Sequence, residues 1–141
     1  MIFNILNNTT ELWMTKYIIG EIFSSGEASL YKNPSDQTVY LQDLGLDDLG
    51  YEFLTIDDQW HLPNRDAVTN RMIANPEKFP SGIRFLADFM HERGLKLGIY
   101  SSAGRYTCSC NLPGSLEFEE IDVQMMLDFE IDYFKVDFKL Q

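Results

Sequence analysis

Histidine and cysteine are scarce, with 2 of each in 141 residues. His61 and His91 lie far apart, and Cys108 and Cys110 are two residues from each other. A structural zinc site takes four ligands at characteristic spacings, so no metal and no cofactor is expected. Cysteines this close are poorly placed to bridge each other; they read as thiols on a loop and carry no information about compartment. Basic residues are few as well: 11 Lys and Arg against 22 Asp and Glu, a formal charge of −11. That balance repels phosphate backbones and anionic lipid, so neither nucleic acid nor a membrane is an expected partner. No apolar run approaches the ~20 residues of a membrane-spanning helix. Met1 to Thr10 carries no positive charge and Tyr17-Ile18-Ile19 is too brief for a leader's apolar region, so no secretion signal is recognisable. No glycine-rich loop directly follows a strand, which counts against a phosphate-binding open sheet.

What is present suits one globular domain. Apolar residues make up 45% and aromatics 13%, enough for a core and too much for a disordered chain. Residues 1–32 show no clean period and form a poorly defined N-terminal segment; Asn7-Asn8-Thr9 and Asn8-Thr9-Thr10 there match the glycosylation sequon, which matters only in a secretory context. From residue 33 onward the pattern is regular. A helix is expected over 34–49, closed by Gly50. Tyr51 to Ile56 reads as a strand, rich in aromatic and β-branched residues, and it ends in Asp57-Asp58. Ile83, Leu86, Ala87 and Met90 form a helical stripe with Ser81 as its expected cap and Gly94 as its end. Leu95 to Tyr100 is the second strand. Ser115 is the expected cap of a third helix with the stripe Phe118, Ile121, Met125, Met126 and Phe129, and Ile131 to Asp137 is the third strand.

Alternation of strand and helix at this spacing implies a parallel α/β sheet with right-handed crossovers. A doubly wound sheet and a (β/α)8 barrel both fit. The long connections, 59–80 and 101–114, follow strands, and in either architecture the site lies on that side. All three strands end in polar groups: Asp57-Asp58, Tyr100-Ser101-Ser102, and Lys135 with Asp137. Lys135 and Asp137 are two apart on a strand and project to one side. A carboxylate beside an ammonium suits a nucleophile.

The stretches LGYEFLTIDDQW, RD, NPEKFPSGIRFLADFMHERGLKLGIYSSAG, TC, PGS and DYFKVD, over residues 49–137, closely resemble the family 27 glycoside hydrolases, the α-galactosidases and α-N-acetylgalactosaminidases. The resemblance implies a retaining glycosidase acting on terminal α-galactosides, on a (β/α)8 TIM barrel of which 33–141 would supply roughly strands 2–4. It makes Asp137 the nucleophile, Lys135 a contact to sugar hydroxyls, and Asp57 and Asp58 the pair that binds the galactose 4-OH and 6-OH. It sets Trp60 and Tyr100 near the sugar, their rings available to pack on a pyranose. His61 and His91 match no catalytic role and read as structural.

Four departures accompany the resemblance. The family's opening M-G-W strand has no counterpart near Trp13-Met14. Gln59 stands where a cysteine usually follows the paired aspartates. Lys139 stands where Cys108 would have its partner, so no disulfide from Cys108 is expected. The sequence ends at Gln141, before the family's acid/base aspartate, the remaining strands and the following β-sandwich. The chain is therefore expected to be a fragment, inactive alone, with homodimerisation possible only for a full-length form. A non-catalytic relative that binds sugar or a partner is the alternative. Galactose and N-acetylgalactosamine both remain open as the sugar; the family is commonly lysosomal or secreted.

Overall fold

In the computed structural model the described residues are 47–109 and 112–138, with Asp43 and Gly45. The N-terminal segment 1–32, its boundary at 33, and nearly all of the helix expected over 34–49 lie outside them, as do Cys110 and Lys139. Gly50 does adopt the left-handed conformation (φ 88°) and donates its N–H to the Asp47 carbonyl.

The elements run β1 (Phe53–Ile56), α1 (Gly82–His91), β2 (Lys96–Ser102), α2 (Glu119–Asp128) and β3 (Tyr133–Asp137). The strands form one sheet in the order β1-β2-β3, and both pairings are parallel, as the alternation requires. Leu54 lies beside Leu97, Ile56 beside Ile99, and Ile99 beside Phe134. Successive strand residues point to opposite faces, so these side chains share one face. They pack with Ile83, Leu86, Ala87 and Met90 of α1 and with Met125 and Met126 of α2 in a single core. Both helices thus cover the same side of the sheet. Each large apolar side chain so buried contributes roughly 1.5–3 kcal/mol.

The opposite face carries a different set in ranks. Thr55, Gly98 and Tyr133 are register partners, then Tyr100 with Lys135, then Ser102 with Asp137. Polarity rises toward the C-terminal end, which is where the long loops emerge.

One expected serine cap keeps its position and the other is corrected. Ser81 holds the N-cap position of α1, but its side chain makes no capping hydrogen bond. α2 starts later than expected, with Phe118 at its N-cap. Ser115 is instead buried, and its hydroxyl meets that of Ser101 at 2.7 Å. The stronger demand there is a partner for a buried strand hydroxyl, and Ser115 meets it. Gly94 (φ 73°) closes α1, with the Leu95 N–H reaching back to the Met90 carbonyl.

Two glycines mark close approaches. A Cβ on Gly114 would collide with the Gly104 carbonyl oxygen and stand 3.1 Å from that of Ser102, both backbone atoms. A Cβ on Gly98 would stand 2.7 Å from Thr55 Oγ1 and 2.9 Å from Tyr133 Cδ1, which are side-chain atoms able to shift. Gly114→Ala is therefore expected to cost about 3 kcal/mol or more, and Gly98→Ala about 1–2 kcal/mol. Urea unfolding of the two variants measures this, and the reverse order would sink the account.

Candidate active site

The turn after β1 is tight. Asp57 Oδ1 accepts the Asp58 N–H at 2.7 Å, and Asp58 Oδ1 accepts the Gln59 N–H at 2.7 Å. Gln59 completes the turn in the left-handed region (φ 68°), unusual for a residue with a Cβ. Its carbonyl is held by Lys78 Nζ at 2.7 Å. Each carboxylate thus has one oxygen fixed by local backbone and the other free to reach outward.

Those second oxygens go to different elements. Asp57 Oδ2 takes Lys135 Nζ at 2.8 Å, joining the ends of β1 and β3 across β2. Asp58 Oδ2 accepts the Ser109 N–H at 2.9 Å, from the loop after β2. Lys135 Nζ also stands 5.1 Å over the centre of the Tyr100 ring, in cation–π range. Burial works to lower the Lys135 pKa; the hydrogen bond and charge of Asp57, with Asp137 behind them, outweigh it and leave the ammonium favoured. Asp137 follows two residues on, its carbonyl accepting the Ala103 N–H. Its Oδ2 lies 3.9 Å from Cys108 Sγ. The Tyr100 hydroxyl accepts the Cys108 N–H at 3.3 Å. Burial, with the Cys108 thiol and the charge of Asp58, pushes the phenol pKa up, so it keeps its proton.

Asp57, Asp58, Tyr100, Lys135 and Asp137 therefore converge on one rim, drawn from all three strands. Trp60 does not present a face there. It is 1% exposed, packs in the core, and gives its indole N–H to the Tyr100 carbonyl at 2.9 Å. Tyr100 is itself 1% exposed. Both rings are thus buried, Trp60 joining its loop to β2 through the indole N–H and Tyr100 lying beside Lys135 and Cys108. Chemically the rim offers fixed hydrogen-bond acceptors, an ammonium and a carboxylate, the groups that recognise a polyhydroxylated neutral molecule.

The family model described as alpha galactosidase A matches residues 27–140. The chain belongs to the alpha-galactosidase family. It is 56% identical over 95 residues to the "Probable alpha-galactosidase B" of Neosartorya fischeri, covering 67% of this chain and 21% of that relative. To alpha-galactosidase mel1 of Schizosaccharomyces pombe it is 48% identical over 97 residues, 69% of this chain and 22% of the relative. Among solved structures, the Saccharomyces cerevisiae alpha-galactosidase with raffinose superposes with a TM-score of 0.69 at 40% identity, over 72% of this chain and 22% of that one. Alpha-galactosidase I of Mortierella vinacea gives 0.69 at 43% identity, over 73% and 25%. The chain thus spans about a fifth of the length of the curated relatives cited.

Several residues hold this alpha-galactosidase segment together through partners that the sequence does not indicate. His61 is buried, and its Nε2 lies 3.0 Å from the Pro113 carbonyl; burial lowers its pKa, which keeps the ring neutral. His91 Nε2 lies 2.7 Å from Asp132 Oδ2, and that same oxygen accepts the Leu97 N–H. Both histidines are structural, as expected. Arg65 forms a two-pronged pair with Asp122 of α2, at 2.6 and 2.8 Å, the latter carboxylate fully buried. The RD stretch marked Arg65 without indicating a partner 57 residues away.

Proposed function

We propose that this chain carries the nucleophile side of a retaining α-galactosidase site, built on three consecutive strands of a (β/α)8 barrel that residues 33–141 supply in part. The observation that carries the reading is the Lys135–Asp57 contact at 2.8 Å, two residues before Asp137 on the same face. It holds an ammonium and the Asp57 carboxylate together two residues from Asp137, at the C-terminal strand ends where barrel enzymes work.

In this reading Asp137 Oδ attacks C1 of an α-galactoside. The C1–O bond breaks, the departing oxygen takes its electron pair and a proton from the acid, and a glycosyl ester forms. Water then attacks C1, a base takes its proton, and galactose and the carboxylate are released. Asp57 and Asp58 accept hydrogen bonds from the 4-OH and 6-OH, and Lys135 donates to a neighbouring hydroxyl. Rigid paired acceptors discriminate against a sugar whose 4-OH points elsewhere, because that hydroxyl then loses its hydrogen bonds to them. Trp60 and Tyr100 serve from beneath, as the floor against which the Asp57–Asp58 turn is held. The acid/base carboxyl belongs about 5–5.5 Å from the nucleophile; Asp57 and Asp58 are engaged by Lys135 and Ser109, so neither is assigned that task.

Sugar discrimination tests the reading directly. Titrating the isotope-labelled chain with methyl α-galactoside is expected to move the amide resonances of Asp58, Ser109 and Asp137, while methyl α-glucoside leaves them in place. An equal response to both sugars, or none to either, would sink it.

A further inference from the structure

Arg65 touches none of the rim carboxylates, yet its guanidinium reaches three parts of the chain at once. Nη1 donates to Asp122 Oδ1 at 2.6 Å and to the Asn70 carbonyl at 2.8 Å. Nη2 donates to Asp122 Oδ2 at 2.8 Å and to the Gly114 carbonyl at 2.8 Å. The group stacks 4.3 Å over the Phe118 ring, and its side chain is 10% exposed. It therefore locks the loop after β1 to the loop after β2, with α2 as the anchor. The second loop is the one that gives the Ser109 N–H to Asp58 and the Cys108 N–H to the Tyr100 hydroxyl. Its other end is pinned by Gly114, whose N–H goes to the Arg105 carbonyl, and by the Ser115 N–H on the Ser102 carbonyl.

We propose that Arg65 is a positioning residue for sugar specificity: by gripping Gly114 against Asp122 it sets the loop that holds the Asp58 carboxylate in place. The proposal rests on the α-galactoside reading for its sugar, and on geometry alone for the loop. Only a planar fork can serve two carboxylate oxygens and two carbonyls together. Lysine at this position keeps the charge opposite Asp122 and loses the simultaneous hold on Gly114.

Two variants of the full chain test it. Arg65→Lys retains the ion pair in monodentate form. The double variant Arg65→Met with Asp122→Leu replaces a buried pair by apolar side chains, an exchange that is often neutral for the fold. Hydrogen exchange read by NMR is expected to be about tenfold faster or more at the Ser109 amide in both variants, a local opening, with Leu97 and Ile99 of β2 unchanged. The response of Asp58 to methyl α-galactoside is expected to fall to that seen with methyl α-glucoside. Wild-type protection at Ser109 in either folded variant would overturn the proposal. So would unfolding of both, which would make Arg65 a support of the fold and not of the loop. A protected Ser109 in the wild type, lost in the variants, with no sugar response in any of them, would count against the α-galactoside reading and leave the loop assignment supported.

Discussion

Expressed as these 141 residues, the chain is expected to leave a nitrophenyl α-galactoside unhydrolysed above background. Insertion of residues 49–137 in place of the matching segment of a full-length relative is expected to give turnover, and Asp137→Asn in that chimera to lower kcat by ~10³-fold or more. The three rim carboxylates differ in what already holds them. Asp57 is taken by Lys135 and Asp58 by the Ser109 amide. A group that must give a proton to the leaving oxygen needs a different setting, one where its neutral form is favoured. General acid help contributes ~10²–10⁴ in rate, and the positioning of substrate by the remaining walls contributes further. The relatives share about a fifth of their length with this chain, so the chimera supplies both missing contributions at once. Asp137→Asn keeps the side chain's size and shape while replacing one acceptor oxygen by an uncharged amide donor, so on the proposed reading its loss of rate reports the missing nucleophile. Steady-state assays on the bare chain, the chimera and its Asn variant distinguish the outcomes. Hydrolysis by the bare chain, or an Asn variant as fast as its parent, would contradict the assignment.

The parallel sheet was legible because each strand is short, β-branched or aromatic, and bounded by polar turns. Helical stripes such as Ile83, Leu86, Ala87 and Met90 differ in period from the strands, so order and direction followed. The converging rim was legible for a related reason: parallel strands put their polar C-terminal residues on one side, and Lys135 and Asp137 share a face by alternation. Backbone donors were not legible. The Ser109 amide that holds Asp58 could belong to any residue type, and it arrives there by loop geometry alone. The Ser115 cap misled because local capping and a distant buried hydroxyl compete for the same side chain, and Ser115 pairs with Ser101. For Trp60 the sequence alone does not decide, because an aromatic beside two aspartates suits a sugar contact and a core anchor alike. Its indole N–H, satisfied by the Tyr100 carbonyl, belongs to the second. Asp122 was hidden for the opposite reason. Acidic residues near a helix start read as solvated, and Glu119 and Glu120 are indeed exposed, whereas Asp122 faces the core.

Asp122→Ala is expected to be among the most damaging single substitutions in the chain, at about 3–5 kcal/mol of folding stability. The carboxylate is fully buried, and the arginine side chain it binds is 10% exposed. Its removal strands a charged group that has lost most of its water, and the remaining carbonyl partners, Asn70 and Gly114, do not neutralise it. A surface pair makes the natural control. Arg84 and Asp88 on α1 are joined at 2.9 Å with side chains 49% exposed, and such pairs contribute about 0.3–0.5 kcal/mol. Asp88→Ala is therefore expected to shift the urea midpoint only slightly. Total stability of a domain this size is about 5–15 kcal/mol, so the loss of Asp122 removes a large share, while Asp122→Leu paired with Arg65→Met leaves no stranded charge and is expected to recover most of it. Urea unfolding followed by tryptophan fluorescence, with Trp60 buried as the reporter, measures all four proteins on one scale. A cost for Asp122→Ala no larger than that for Asp88→Ala would show that the pair is solvated and that the two loops are held by other contacts.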